Sequence, residues 1–389
     1  MIKDSFIYSA LRTPLGKFNG GLASLPGPLL AAAVIPETLK RAGLHSSQVD
    51  EVLLGQVVQA GVGQAPARTA ALQAGIPEEV PAATINKVCG SGMKTVMMAD
   101  QAIRLGQAQF IVTGGMESMS RAPFLLPQLR GGRSLGHTEA VDSLILDGLW
   151  DAREDSHMGT LCERVAQDHC LSRERQDAYA RTSYLRARQA REEGFTAHEL
   201  VEVRVPHPGK TSIVSLDEQP FADDIDRLPF LKSAFDRKGG TITKGNGAKI
   251  SDGAAILIVG GPAAGLQPLA RIVGYATHAE SPSTFALAPI QAIQKVLREN
   301  KLTIEDIDLF EINEAFAAMS LIVNDVLNLD PEKVNVHGGS IALGHPIGAT
   351  GARILVTLIH ALRTKSLKRG LASLCIGGGE ATAMVVELM

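Results

Sequence analysis

Short apolar runs alternate along this chain with longer segments in which apolar residues recur every three or four positions. A helical pattern over 29–42 precedes the apolar run 52–55, and another over 290–300 precedes the run 309–312. Apolar runs of about four to eight residues are typical of buried strands, and the longer periodic segments are typical of amphipathic helices. This alternation predicts a layered α/β architecture.

The first and last thirds of the chain resemble each other. The connection 44–50 matches 302–308 in the spacing of a leucine, a β-branched residue and an aspartate. Further on, 86–91 precedes a helical pattern and a strand that ends in glycines, and 335–340 precedes the same succession. Matched order at several points favours a duplicated α/β unit over chance similarity between two α/β segments.

Charged residues concentrate between these two thirds. Residues 121–249 hold 19 of the 38 Lys and Arg residues and 20 of the 41 Asp and Glu residues, whereas the flanks are rich in Ala, Gly, Val, Ile and Leu. This contrast predicts a solvated, largely helical insertion between two tightly packed α/β units.

Several function classes are disfavoured by composition. A formal net charge of -3 lacks the basic excess of nucleic-acid-binding proteins. No apolar run approaches the roughly 20 residues that span a bilayer, and the N-terminus lacks the pattern of a secretory signal. The 4 cysteines are scattered without CxxC spacing, so we expect free thiols in a reducing cytoplasm and no metal site.

Cys89 is the first candidate for chemistry, because it lies directly before a helical pattern over 93–105. A thiol at a helix N-terminus is expected to have a lowered pKa, since the positive end of the helix dipole favours the thiolate. The alternative is a buried cysteine that packs as a small hydrophobic residue. The segment alone supports both interpretations equally.

His345 and Cys375 are two further candidates that lie beside glycine-rich segments. The glycines around His345, in 338–351, indicate tight backbone geometry or close ligand approach, although a structural histidine is the alternative. Cys375 ends an apolar strand and is followed by Gly377, Gly378 and Gly379. Strand ends of this kind commonly hold ligands in α/β sheets, and a core cysteine is the alternative.

Asn313 follows the predicted strand 309–312, where its amide is placed to orient a water or an oxyanion. Capping of the next helix is the other role for such a residue, and the local pattern favours capping. Cys162 and Cys170 are predicted to be structural, because they lie in or beside a helical pattern over 159–169 without a base or metal ligand at suitable spacing.

Taken together, six segments resemble the signatures of the thiolase family and occur in the family's order: 86–93, 114–120, 157–159, 313–317, 344–349 and 375–379. The resemblance implies the thiolase fold, in which two similar α/β halves form a five-layered core and a helical loop domain is inserted in the first. We expect an N-terminal half at 1–120 with 250–268, a loop domain at 121–249 and a C-terminal half at 269–389.

The resemblance also implies catalytic roles in an acyltransferase. Cys89 is expected to carry the acetyl group, and His345 to take the proton of Cys89. Cys375 is expected to remove the α-proton of a second acetyl-CoA, while Asn313 holds a water that stabilises the enolate oxygen together with His345. The N–H groups of Cys89 and Gly377 are expected to form the other oxyanion hole.

The implied reaction is the reversible Claisen condensation of two acetyl-CoA molecules to acetoacetyl-CoA and coenzyme A. Coenzyme A thioesters would be substrates, with no permanently bound cofactor, and a cytoplasmic homotetramer built as a dimer of dimers is expected. The residues implied to contact coenzyme A are His157, Met158, Ala248 and Phe316.

The chain departs from the family pattern near the predicted coenzyme A site. Ala248 stands where a serine is usual and Phe221 where an arginine is usual, while Glu380 adds a carboxylate before Ala381, which replaces a glycine. These changes bear on acyl-chain preference and coenzyme A affinity. A degradative 3-ketoacyl-CoA thiolase of broader chain length and a non-catalytic acyl-CoA-binding subunit are therefore the alternatives.

Overall fold

The computed structural model describes residues 4–132 and 134–389. Its larger strands are β1 (Phe6–Arg12), β3 (Glu51–Gly55), β4 (Ala82–Ile85), β5 (Phe110–Ser118), β12 (Ser251–Gly260), β13 (Ala270–Ala279), β14 (Leu309–Ile312), β15 (Arg369–Ile376) and β16 (Glu380–Leu388). The shorter strands are β2 (Gly16–Lys17), β6 (Phe124–Leu125), β7 (Val141–Asp142), β8 (Trp150–Asp151), β9 (Ser156–His157), β10 (Val203–His207) and β11 (Lys210–Val214).

The helices are α1 (Gly27–Ala42), α2 (Pro66–Gln73), α3 (Ser91–Arg104), α4 (Met158–Asp168), α5 (Arg173–Glu192), α6 (Ala288–Glu299), α7 (Ala317–Leu327), α8 (Ser340–Leu343) and α9 (Ile347–Thr364). The helical and strand segments predicted from the apolar pattern are confirmed, with shifts of a few residues at their ends.

The sheet repeats one topology twice. In the order β4-β3-β5-β12-β1, strand β3 pairs in parallel with β5, and β12 pairs antiparallel with both β5 and β1. In the order β14-β15-β16-β13, β14 pairs in parallel with β15, and β16 pairs antiparallel with β15 and β13. The halves meet where β1 pairs with β13 through Phe6 and Ile7. The predicted duplication is confirmed.

Five layers result from the placement of the helices. Helices α3 and α9 contact each other, and α9 contacts β5 and β12 of one half as well as β14 and β15 of the other. Helix α1 lies on the outer face of the first half and contacts α2, while α6 lies on the outer face of the second half and contacts α7. The middle layer buries one apolar core shared by both halves, because the strands of both halves send side chains towards α3 and α9.

Glycines let α3 and α9 approach each other at backbone distance. A Cβ at Gly351 of α9 would lie 2.5 Å from the backbone nitrogen of Met93 in α3, and one at Gly92 would lie 2.7 Å from that of Ala352. A Cβ at Gly115 of β5 would lie 2.0 Å from the carbonyl oxygen of Gly348. Any larger residue at these positions would displace the backbone. The three glycines therefore determine how closely α3, α9 and β5 approach one another.

The segment between β5 and β12 forms the inserted domain, with α4, α5 and several short hairpins. A buried ion-pair cluster joins it to the first half: Arg12 of β1 donates to Glu199 at 2.6 Å and to Asp217 at 2.7 Å. All three side chains are buried. The boundaries 1–120 with 250–268, 121–249 and 269–389 stay a prediction.

Gly351→Ala is expected to lower the unfolding free energy by at least about 1–3 kcal/mol, because the new methyl group meets the backbone of Met93. Gly131→Ala is the matched control, since a Cβ there meets no heavy atom within 4 Å. Thermal unfolding of both variants checks the prediction. Equal melting temperatures would show that α3 and α9 can move apart at this contact without loss of stability.

Candidate active site

One cavity of about 250 Å³ collects most of the predicted site residues from separate elements of the fold. Its wall includes Cys89, His345, Cys375 and Gly377, together with His157, Met158, Ala248 and Phe316. Asn313 is absent from this wall, and its side chain is fully buried behind it. Apolar groups such as Leu149, Ile250 and Ile347 complete the wall, which gives the charged and polar atoms there little access to solvent.

A tight turn between β4 and α3 presents Cys89. Val88 adopts a positive φ of 45°, which is a strained conformation for a β-branched residue. The hydroxyl of Ser91 accepts from the N–H of Lys87 at 2.8 Å and donates to the carbonyl of Val88 at 2.6 Å. This hydrogen bonding holds the turn closed, so the strain is located directly before the candidate nucleophile.

Burial raises the pKa of the Cys89 thiol to about 11. The N–H groups of Gly377 and of Cys89 itself lower the pKa but do not outweigh the desolvation. Desolvation therefore outweighs any effect of the helix dipole, and the expectation of a lowered pKa is wrong. The raised pKa keeps Cys89 protonated at neutral pH, so a nucleophilic role for its sulfur requires a base.

His345 is suited to be that base in its neutral form. Its Nδ1 lies 2.6 Å from the hydroxyl of Thr350, which donates its single hydrogen to the carbonyl of Pro346 at 2.8 Å. The hydroxyl must then accept from Nδ1–H, so the lone pair of Nε2 stays free to take a proton. Burial and the positive charge of Arg353 lower the pKa of His345 to about 3.

Cys375 is the second thiol of the cavity and lies near the end of β15. It is almost fully buried, and burial together with the neighbouring Cys89 raises its pKa well above the ordinary value. The glycines that follow turn the chain sharply, with positive φ at Gly378 and Gly379. That turn directs the N–H of Gly377 back towards the sulfur of Cys89.

Asn313 does not cap a helix, so that expectation was wrong. Helix α7 begins at Ala317, and the residue before it, Phe316, makes no side-chain cap. The amide oxygen of Asn313 instead accepts from the hydroxyl of Ser340 at 2.5 Å. Its Nδ2 is buried and has no hydrogen-bond partner within residues 4–132 and 134–389. The amide therefore offers an unused donor beside the cavity.

The residues predicted to contact coenzyme A line the cavity from two parts of the chain, with His157, Met158 and Ala248 in the inserted domain and Phe316 directly before α7. His157 caps α4, because its Nδ1 accepts from the N–H of Gly159 at 3.0 Å. Its ring stacks on Phe235 with centroids 4.9 Å apart, and Phe235 meets Phe316 edge to face. A second cavity of about 320 Å³ shares Met158 and Gly377 with the first, and its wall includes charged residues such as Asp151 and Arg153.

Several residues near the cavity have partners of their own. Lys249, which also lines the cavity, pairs with Asp223 at 3.4 Å and lies over the ring of Tyr184. Phe221 lies under the guanidinium of Arg191 at 4.3 Å. A further ion pair, Lys87 with Glu380, joins the nucleophile turn to the start of β16.

The two remaining cysteines differ in burial. Cys162 is buried in α4, as predicted, whereas Cys170 is exposed just beyond that helix. Within the described part of the chain, no group of three or more His, Cys, Asp and Glu residues is placed to hold a metal ion. No helix there is long and apolar enough to cross a membrane.

Sequence reasoning did not find Thr350, Phe235 or the strained Val88. Thr350 lies five residues after His345 in the same glycine-rich segment, so the sequence could have indicated it as a hydrogen-bond partner of His345. The stacking of Phe235 on His157 joins residues far apart in the chain and is visible only in the fold.

Comparison with known proteins gives consistent results. Residues 5–261 match the N-terminal domain of thiolase, and residues 266–388 match the C-terminal domain. The chain is 50% identical to the acetyl-CoA acetyltransferase of Escherichia coli and 47% identical to that of Pseudomonas aeruginosa, each over 99% of both chains.

Two solved structures are similar over the whole chain. The Bacillus anthracis acetyl-CoA acetyltransferase superposes with a TM-score of 0.97 at 41% identity, covering 100% of this chain and 99% of that one. Human mitochondrial 3-ketoacyl-CoA thiolase superposes with a TM-score of 0.95 at 35% identity, with the same coverage.

The lowered pKa of His345 predicts acid sensitivity. An unfolded chain holds histidine at its ordinary pKa of about 6.5, so below that pH the unfolded state binds the extra proton and stability is lost towards pH 3. As the pH falls from 6.5 to 5, the titration of this histidine should lower the free energy of unfolding by about 2 kcal/mol.

Thermal unfolding of the His345→Asn variant between pH 7 and 5 measures this loss. The variant should lose less stability on acidification than the unmodified chain, whereas the exposed-site control His198→Asn should lose as much. Identical losses in all three proteins would show that His345 does not titrate as its burial requires.

Proposed function

The chain belongs to the thiolase family, and we propose that it is an acetyl-CoA acetyltransferase. It would interconvert acetoacetyl-CoA plus coenzyme A with two molecules of acetyl-CoA. The observation that carries this proposal is the meeting of Cys89, His345, Cys375 and the N–H of Gly377 at one secluded cavity. Covalent catalysis on a cysteine divides one difficult step into two easier ones.

In the thiolysis direction, the first step breaks the carbon–carbon bond of acetoacetyl-CoA. The proton of Cys89 passes to Nε2 of His345, and the sulfur attacks the 3-keto carbon. The N–H groups of Cys89 and Gly377 stabilise the oxyanion. When the bond between C2 and C3 breaks, acetyl-Cys89 remains and the enolate of acetyl-CoA leaves.

Cys375 then gives its proton to C2 of the enolate, and acetyl-CoA is released. A thiol with a raised pKa is suited to rest protonated and to act as this donor. Coenzyme A next transfers its thiol proton to the thiolate of Cys375, and its sulfur attacks acetyl-Cys89. The departing thiolate of Cys89 regains its proton from His345, which restores the resting site.

Synthesis is the reverse of this sequence and requires Cys375 to act as a base. The charge of an ionised Cys89 is one of the causes that raise the pKa of Cys375. An acetylated Cys89 carries no charge, so this cause is absent in the acetyl-enzyme. The pKa of Cys375 should therefore be lower at the stage where it must remove the α-proton.

The proposal includes the binding residues and the context of the reaction. His157, Met158, Ala248 and Phe316 would contact the pantetheine arm, because they line the cavity that holds Cys89, and Met158 also lines the adjoining second cavity. We also propose a cytoplasmic homotetramer without a permanently bound cofactor, and a reducing compartment suits the two reactive thiols.

A degradative 3-ketoacyl-CoA thiolase is the second candidate. Its support is the likeness to the human mitochondrial 3-ketoacyl-CoA thiolase and the apolar wall that Leu149, Ile250 and Ile347 give the cavity. Such a wall is compatible with longer acyl chains, so activity at different chain lengths separates the two candidates.

Thiolysis of acetoacetyl-CoA, followed as the loss of its enolate absorbance, is the direct test, with 3-ketohexanoyl-CoA as the longer substrate. We expect preferred turnover of the four-carbon substrate and a loss of at least about a thousandfold in Cys89→Ala. Cys170→Ala is the control, because this thiol is exposed and outside the cavity.

Equal or better turnover of the longer substrate would favour the degradative candidate. No turnover of either substrate by the unmodified enzyme would favour a non-catalytic acyl-CoA-binding subunit.

Asn313→Ala should slow carbon–carbon bond formation and cleavage about 100- to 1000-fold, as expected for the loss of one oxyanion donor. Acyl transfer between coenzyme A and Cys89, measured by isotope exchange between coenzyme A and acetyl-CoA, should change much less. Equal slowing of the two reactions would contradict a role for Asn313 at the enolate.

A further inference from the structure

A chain of fully buried polar groups leads from α9 to Asn313. Arg353 of α9 donates from Nη2 to the hydroxyl of Ser340 at 2.9 Å, and this hydroxyl donates to the amide oxygen of Asn313 at 2.5 Å. Arg353, Ser340 and Asn313 each have a relative exposure of 0%, so water does not compete for these bonds.

The direction of each hydrogen bond in this chain follows from chemistry. A guanidinium has donors and no acceptor, so the oxygen of Ser340 must accept from Arg353. The single hydrogen of Ser340 is then available for Asn313, and it requires an acceptor there. The amide oxygen of Asn313 must therefore face Ser340, and its NH₂ group must face the other way.

The guanidinium is itself held in place. Its Nη1 donates to Glu311 at 2.9 Å, and Glu311 lies in β14, two residues before Asn313. The bond from Arg353 therefore joins the middle-layer helix to the strand that carries the amide. An asparagine amide has two orientations of nearly the same shape, and here only one of them satisfies Ser340.

We propose that Ser340 and Arg353 are positioning residues that hold Asn313 with Nδ2 as the free donor for the enolate step. This proposal rests on the proposed role of Asn313 in carbon–carbon bond chemistry. The buried Nδ2 has no hydrogen-bond partner in the described part of the chain, which is the state required of a donor reserved for a water or a substrate oxygen.

Arg353 has a second effect on the same site. Its positive charge contributes to the lowered pKa of His345, and a neutral His345 is the form that accepts the proton of Cys89. One buried guanidinium thus acts on both His345 and Asn313, on the first through its charge and on the second through the hydroxyl of Ser340.

Ser340→Ala is the main test. Without the hydroxyl, both orientations of the Asn313 amide become accessible, so thiolysis of acetoacetyl-CoA should fall about tenfold, as expected for one buried hydrogen bond. Coenzyme A exchange with acetyl-CoA should stay within about twofold, since it does not use the enolate site. Thr357→Val is the matched control, because Thr357 is also a buried hydroxyl of the α8–α9 region and its Oγ1 has no hydrogen-bond partner in residues 4–132 and 134–389.

A double-mutant cycle distinguishes positioning from general structural damage. In the Asn313→Ala background, Ser340→Ala should cause no further loss of thiolysis, because the amide that it orients is gone. Additive losses would overturn the proposal, and so would equal effects of Ser340→Ala on thiolysis and exchange. If Asn313→Ala itself leaves thiolysis unchanged, the proposed role of Asn313 fails, which is a separate result.

Ser340→Cys provides a second variant if Ser340→Ala does not fold. It retains a weak donor of similar shape, so its thiolysis rate should lie between those of Ser340→Ala and the unmodified enzyme. A rate at or below that of the Asn313→Ala variant would contradict positioning by the hydroxyl.

Discussion

The backbone-to-backbone crossing of α3 and α9 is the constraint on which the rest of this structure depends. Gly92 and Gly351 leave no room for a side chain where the helices cross, and Gly115 does the same where β5 meets α9. Cys89 lies just before α3 and His345 just before α9. Because the crossing lies at the beginnings of both helices, it brings the proposed nucleophile and its proposed base to one cavity.

Burial in this middle layer determines the chemistry at the site. It raises the pKa of both thiols and lowers that of His345, so these three groups rest in their neutral forms. Each proton must then move together with bond formation at the substrate. In such a site, fixed N–H donors and an oriented amide stabilise developing charge more strongly than water would.

Much of the fold could be predicted from the sequence, because each half buries its elements in a periodic pattern. Strand β14 and helix α6 were predictable from local apolar spacing alone, and the duplication followed from their order. The thiols and His345 were also predictable, since glycines mark the turns that present them. The pKa of Cys89 was not predictable. The dipole of α3 can be inferred from the local sequence, but the desolvation that raises the pKa depends on the packing of both halves.

The role of Asn313 could not be predicted from the neighbouring sequence. A side-chain amide between a predicted strand and a predicted helix is a normal candidate for capping, and only the fold shows that helix α7 begins further on and that Ser340 of α8 binds the amide instead. The packing of α9 against β14 places Arg353 between Glu311 and Ser340. The middle-layer crossing that assembles the cavity therefore also determines the orientation of the amide behind it, so the fold and the reactive geometry depend on the same contacts.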